Sequence, residues 1–168
     1  MLVNLLDLGW EDREESIELV NQFFRKVNSL NLDGLYAIKP RAATKFVDLY
    51  LKLSRTDKVY FRGIRVQQDE SSRAELVSLL IARIEEKPFL KEERTLYVDI
   101  AVTKGGKKKK GYMGILLADL EKWAKEHSIP SIELIAICEN TEAVQFWKNK
   151  GFHEFYIRYR KPLIFQDR

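Results

Sequence analysis

The sequence predicts a mixed α/β (α+β) fold, a twisted and largely antiparallel sheet with helices on both faces. Three observations predict it. Apolar residues recur at helical spacing in two N-terminal stretches, the period then shortens to that of strands, and a strand–helix–strand unit follows in the C-terminal half. The order along the 168 residues reads β–α–α–β–β–β–α–β–α–β. No Pro/Gly/Ser-rich linker and no internal repeat interrupts it, so a single domain over residues 1–168 is expected.

Residues 1–8 read as a first strand. Residues 10–30 read as a helix, because Ile17, Val20, Phe24 and Val27 recur on one face and Glu11, Asp12, Glu14 and Glu15 suit its positive end. A second helix follows Pro40, with Phe46, Leu49, Tyr50 and Leu53 on one face. Residues 58–67 and 74–86 are β-like runs joined by the polar turn QDESSR, an expected antiparallel hairpin. A third long strand covers residues 95–102, after a segment containing Pro88. Next come a glycine-rich loop and a helix over residues 115–127. A strand at 131–137 and a helix at 140–151 follow, with Gly151 as its stop, then a last strand at 152–163.

Composition narrows the chemistry. With 45% apolar residues the chain is long enough for one sizeable core. The net charge is only +4, since 29 basic residues face 25 acidic ones, so a lysine cluster is a local feature and not a cationic tail. One cysteine, Cys138, excludes an internal disulfide, and two scattered histidines argue against a metal site. Cys138, with no histidine at recognisable spacing, is expected to be buried and inert. His127 and His153 read as structural or surface residues. The N-terminus has no basic region ahead of its short apolar run, which disfavours a signal peptide, and no stretch is long enough to cross a membrane. A soluble cytoplasmic protein is expected.

The most informative stretch is GGKKKKGYMG, residues 105–114, which separates an apolar strand from an amphipathic helix. Free backbone N–H groups, a helix dipole and flexible cations converge there, as a phosphorylated ligand requires. The GxxxxG spacing of an NTPase loop is present, but Tyr112 and Met113 stand where a lysine and a magnesium-binding hydroxyl belong. A dinucleotide fingerprint needs a different glycine spacing after a parallel strand. Phosphate attraction in a nucleic acid and a plain solvated loop remain open on these residues alone.

Two motifs add to this reading. Ile100–Ala101–Val102 ends the strand, and Lys108, Gly111 and Met113 fall in an R/Q-x-x-G-x-G/A pattern at the helix start. Some thirty residues on, Asn140, Ala143, Phe146, Trp147, Lys148 or Lys150, Gly151 and Phe152 follow N-x-x-A-x-x-F/L-Y-x-K-x-G-F. In this the sequence resembles the GCN5-related N-acetyltransferase (GNAT) superfamily. The resemblance implies a single N-acetyltransferase domain with acetyl-CoA as co-substrate and no metal. It implies a pyrophosphate held by Lys107, Lys108, Lys109, Lys110, Gly111, Tyr112, Met113 and Gly114, and a pantetheine arm along Ile100, Ala101 and Val102. It also places Asn140, Phe146, Trp147 and Lys150 on the coenzyme side. Lys108 stands where arginine or glutamine is usual, and Met113 where the family has glycine or alanine.

The resemblance further implies acetyl transfer to a primary amine by direct attack in a ternary complex, with a backbone N–H near Ile100 as oxyanion donor. Asp99 and Glu85 are the candidate bases, Asp99 being expected on the face shared by Tyr97 and Ala101, opposite Ile100. Trp147 occupies the position of the family's acid tyrosine and cannot titrate near neutrality, so it reads as packing, and Tyr112, Tyr156 or water are candidate substitutes. The acceptor, a small-molecule or peptide amine, is expected between the first two helices with their loop and the final strands. Those segments hold Phe23, Phe24, Tyr36, Tyr156 and Tyr159 beside Lys39, Arg41, Arg158 and Arg160. A homodimer is compatible with the sequence, a membrane partner is not, and nucleic acid is disfavoured. The alternative reading is a non-catalytic CoA-binding or nucleic-acid-binding module.

Overall fold

The computed structural model describes residues 1–30, 37–161 and 163. They divide into two compact units, Met1–Ile135 and Ala136–Arg168. In the first, the strands β1 (Leu2–Asp7), β2 (Val59–Gln67), β3 (Glu75–Glu86), β4 (Arg94–Thr103) and β5 (Ile132–Leu134) form one open sheet in the order β1-β2-β3-β4-β5. All neighbours are antiparallel except β4 and β5, which are parallel. That pair is joined by α3 (Tyr112–Glu126), because parallel strands need a long connection. The expected class, a mixed and mostly antiparallel sheet with helices on both faces, is what is found.

Helices α1 (Arg13–Ser29) and α2 (Ala42–Leu53) cover one face. A short 3-10 turn, Trp10–Asp12, leads into α1. Their core joins Leu19, Val20, Val47, Tyr50 and Leu51 to Phe61, Leu79, Ile81, Ile100 and Val102. The opposite face packs on α3, whose Leu116, Leu117 and Leu120 are buried with Leu80, Leu96 and Val98. Because both faces are covered, β3 reads as an almost unbroken apolar run, VSLLIA, rather than an alternating one. Each of its fully buried leucines or isoleucines contributes about 1.5–3 kcal/mol through burial.

Polar ties fix the helices to the sheet. Arg65 of β2 donates to the carboxylates of Asp12 and Glu15, each at 2.7 Å, and the Leu76 N–H donates to Glu15 at 3.0 Å. Arg13 forks onto Asp48 and so joins α1 to α2. On the other face Tyr60 and Arg62 both donate to Asp119 of α3, at 2.7 and 2.8 Å.

The second unit contains α4 (Thr141–Asn149), which ends at Gly151 with φ +88°. Here the structure corrects the sequence. Residues 152–161 and 163 form no strand, and Phe155, Tyr156, Ile157, Tyr159 and Leu163 are exposed. Their alternation is that of a strand, but among the described residues they have no ladder partner to complete one.

Candidate active site

The loop between β4 and α3 is shaped by glycine. Gly106 and Gly111 have φ of +75° and +84°, and a Cβ at either would meet nothing within 4 Å. Space is therefore not what selects glycine at these two positions; the left-handed backbone is. Gly111 is the N-cap of α3 and supplies no side-chain cap, and the first turn carries no acidic residue. The first intrahelical bond of this end is Ile115 N–H to Gly111 O, so the N–H groups of Tyr112, Met113 and Gly114 have no intrahelical acceptor. By contrast, α1 carries Glu14 and Glu15 in its first turn. The start of α3 thus presents free N–H groups and a positive dipole end with no carboxylate of its own, as does the start of α2.

The lysines divide their work. Lys107 lies 3.4 Å from Glu75, which also holds Lys104 at 2.8 Å. These two cations lock the loop to β3. Lys109 and Lys110 are exposed and have no ion-pair partner among the described residues. Gln22 of α1 closes the loop's other side. Its amide nitrogen donates to the Thr103 carbonyl at 2.9 Å, and its Oε1 accepts from the Gly105 N–H at 3.0 Å. Neither Gln22 nor Glu75 is visible as a site residue in the sequence, because each meets the loop only through the fold.

Directly before the loop, β4 has an open edge. Its pairing with β5 runs only from Leu96 to Val98, while β4 itself continues to Thr103. The Lys104 N–H donates to Val77 O, so Lys104 and Val102 direct their backbone groups to β3. The alternate residues, Ala101 and Thr103, direct theirs to the open edge. Ile100 and Val102, expected along a pantetheine arm, instead place their side chains in the α1–α2 core.

A β-bulge sits in the same strand. Ile81 pairs with Ile100 and Ala82 with Val98, leaving Asp99 as the extra residue. This corrects the expectation that Asp99 lies opposite Ile100. The bulge interrupts alternation, and Asp99 points to the layer that contains Ile100, where it meets Tyr50 of α2. The Tyr50 hydroxyl donates to Asp99 Oδ2 at 2.6 Å, and Arg83 Nε lies 3.2 Å from the same oxygen. Among the described residues nothing donates to Oδ1. Burial pushes the Asp99 carboxyl above its ordinary value, outweighing the Tyr50 hydrogen bond and the Arg83 charge that pull it down. Glu85 stands beside this group, 3.6 Å from Arg83 and 3.7 Å from Lys87. The Tyr50 ring stacks on Phe46 at 4.6 Å, and Phe24 and Phe23 extend the aromatic row along α1.

The remaining expected residues are placed as follows. Tyr112 is buried, only 4% exposed, in the first turn of α3, and Met113 beside it is half-buried. In the second unit Asn140 is the N-cap of α4, though its side chain makes no cap hydrogen bond. Trp147 packs edge-on to Phe146 and Phe152, and Lys150 lies over the Phe146 ring. Cys138 is exposed, against the expectation of burial, because the strand before it ends at Leu134. His127 stacks on Trp123 at the end of α3, and His153 is exposed. Tyr36 lies outside the described residues, while Lys39, Arg41, Tyr156, Arg158, Tyr159 and Arg160 are exposed. Among the described residues no group of three or more His, Cys, Asp or Glu side chains is placed to hold a metal ion. No described helix is long and apolar enough to cross a membrane.

The sheet's one parallel pair is thus joined through a glycine-shaped loop and an uncapped helix start. The chain belongs to the Acetyltransferase (GNAT) family, whose profile matches residues 36–152, and it is an acyltransferase. Nothing among curated proteins matches it. Solved structures share its fold at low identity. One is a mutant of the BH1408 protein from Bacillus halodurans, 15% identical, with a TM-score of 0.74 over 98% of this chain and 100% of that one. Another is AAC(6')-Iy in complex with the bisubstrate analogue CoA-S-monomethyl-acetylneamine, 14% identical, TM-score 0.68, over 97% and 100%. A third is glucosamine-6-phosphate N-acetyltransferase from Arabidopsis thaliana, 17% identical, TM-score 0.68, over 98% and 100%.

Proposed function

We propose that this chain is a single-domain, cytoplasmic N-acetyltransferase that moves the acetyl group of acetyl-CoA to a primary amine by direct attack in a ternary complex. The observation that carries the reading is the open edge of β4 running straight into the uncapped start of α3. An extended amide-bearing arm can add to such an edge as a further strand, and a pyrophosphate suits unsatisfied N–H groups at a helix start. The residues fit the co-substrate. Ala101 and Thr103 would hold the pantetheine arm. Backbone from Lys108 to Gly114 would hold the pyrophosphate, with Lys109 and Lys110 adding attraction. Asn140, Phe146, Trp147 and Lys150 stay coenzyme-side candidates on the strength of their motif.

When bound, acetyl-CoA supplies a thioester carbonyl as electrophile and a thiolate as leaving group. The chain supplies the rest. Asp99 takes the proton of the attacking amine, directly or through one water, and its raised proton affinity suits that task. Glu85 is the second candidate base, more exposed and shared between Arg83 and Lys87. The Ala101 N–H, at the open edge two residues beyond Asp99, donates to the oxygen on which negative charge develops. A thiol of pKa about 8.5 leaves tolerably as its anion. No acid is therefore required of Trp147, which cannot serve, or of the buried Tyr112.

The neighbours' names point to different acceptors, so the acceptor here is a primary amine of a small molecule or a peptide. Acetyl-CoA should raise the thermal stability of the protein, as any ligand of the native state does. Free thiol should then appear with at least one member of a panel of small amines and peptides. Stabilisation without thiol release from any acceptor class would leave a binding module; no stabilisation at all would remove the coenzyme site.

A further inference from the structure

We infer that Tyr50 is a positioning residue for the proton transfer: its hydroxyl holds the Asp99 carboxylate by Oδ2 and leaves Oδ1 to take the acceptor's proton. The inference rests on the reading of Asp99 as the base. Four observations carry it. The Tyr50 hydroxyl meets Oδ2 at 2.6 Å across a sequence separation of 49 residues. Arg83 approaches the same oxygen, so both partners crowd one side of the carboxylate. The Tyr50 ring is itself fixed, 4% exposed and stacked on Phe46. Asp99 is the extra residue of a bulge, so no ladder position dictates where its side chain goes.

The groups facing Asp99 come from several elements. Tyr50 stands on α2. Arg83 and Glu85 stand on β3, with Arg83 held over the ring of Tyr97 on β4. Beyond them Lys87 bridges Glu85 to Glu133 of β5. Burial first, and then the bond to Asp99, push the Tyr50 phenol well above its ordinary range, so it stays a donor through the working pH range. A permanent donor to a carboxylate favours the ionised form. It keeps the base charged and oriented between turnovers, and it limits how far burial raises its proton affinity.

The test titrates the full chain labelled with 13C at aspartate carboxyls, with Asp99→Asn identifying the Asp99 resonance. Removing the hydroxyl in Tyr50→Phe should raise the Asp99 midpoint by roughly one to two pH units, the worth of a charge-assisted hydrogen bond. With an amine that gives thiol release, the acidic limb of kcat/KM should move up by the same amount, since the deprotonated base is the active form. KM for acetyl-CoA should stay constant. Placing 3-fluorotyrosine at position 50, a stronger donor of nearly the same shape, should move both midpoints down. This second variant keeps the test open if Tyr50→Phe folds poorly. An Asp99 midpoint and acidic limb unmoved by both Tyr50 variants, with the limb lost in Asp99→Asn, would overturn the role of Tyr50 and spare the base. An acidic limb and rate that survive Asp99→Asn would overturn the base and the positioning role together.

Discussion

Gln22 is the side chain through which α1 grips the loop between β4 and α3, and Gln22→Met tests what that grip contributes to the proposed coenzyme site. Methionine keeps the length and volume of the side chain and removes both hydrogen bonds, to the Thr103 carbonyl and from the Gly105 N–H. A neutral hydrogen bond contributes about 0.5–1.5 kcal/mol net. Gly105 is exposed, so water replaces that bond readily, and the Thr103 bond is only partly buried. The pair together is then worth about 1–2 kcal/mol. For a domain of this size that lowers Tm by roughly 3–8 °C. A loop no longer held in the free protein must be ordered when the coenzyme binds, so the part of that free energy not lost from the free protein appears in Kd, a rise of up to roughly thirty-fold if all of it does. Thermal melts and calorimetric titration with CoA read the two quantities separately. A Tm that falls as expected beside an unchanged Kd would refute the reasoning, because the grip would then serve folding alone.

The lysines should separate by role. Lys109→Ala with Lys110→Ala should weaken CoA binding roughly fivefold at low salt and less at high salt, as exposed charges do, whereas Lys107→Ala should chiefly loosen the tie to Glu75 and show in Tm. Glu15 gives an acid-stability prediction. Burial raises its pKa, but the Arg65 hydrogen bond and the Leu76 N–H overcome this and hold it below its ordinary value of 4.5. A depressed carboxyl stabilises the fold above that value and loses its contribution as pH falls through the folded one. Denaturant midpoints should therefore drop on acidification below about pH 4.5, and Glu15→Gln should flatten that slope. Ser16 carries a fully buried hydroxyl that has no hydrogen-bond partner among the described residues. Ser16→Ala should be neutral or stabilising by up to about 1 kcal/mol, read by chemical denaturation.

Much of the frame could be read from the chain, because it rests on local rules. Helical spacing located α1 and α2, though in α2 Leu49 and Leu53 of the expected face are exposed and Ala43, Val47 and Leu51 are buried with Tyr50; the polar turn between two apolar runs located the β2–β3 hairpin. Gly106 and Gly111 of the loop stand where the backbone is left-handed. What could not be read depends on register. The bulge at Asp99 exists only against Ile81 and Ala82, so strand alternation placed Asp99 with Tyr97, as found, but on the wrong side of Ile100. The bonds of Gln22 to residues 103 and 105 span more than 80 positions, and no local pattern announces them. The alternation of residues 152–163 described a strand's faces, yet a strand also needs a neighbour. Cys138 follows an apolar run, but only three residues of that run are strand.

The bulge has a consequence for what can be removed from this protein. Asp99 is supernumerary in the ladder: Val98 and Ile100 already face successive residues of β3. Excising position 99 would leave the strands on both sides aligned as they are, with the same apolar side chains directed inward. Elsewhere along β4 a deletion would slide every later residue to the wrong face. Position 99 is thus a place in the strand where the ladder makes no demand, and where the side chain answers to Tyr50 and Arg83 instead. A chain shortened there by one residue should keep its ladder and lack the carboxylate that meets Tyr50 and Arg83, a blank for the proposed base.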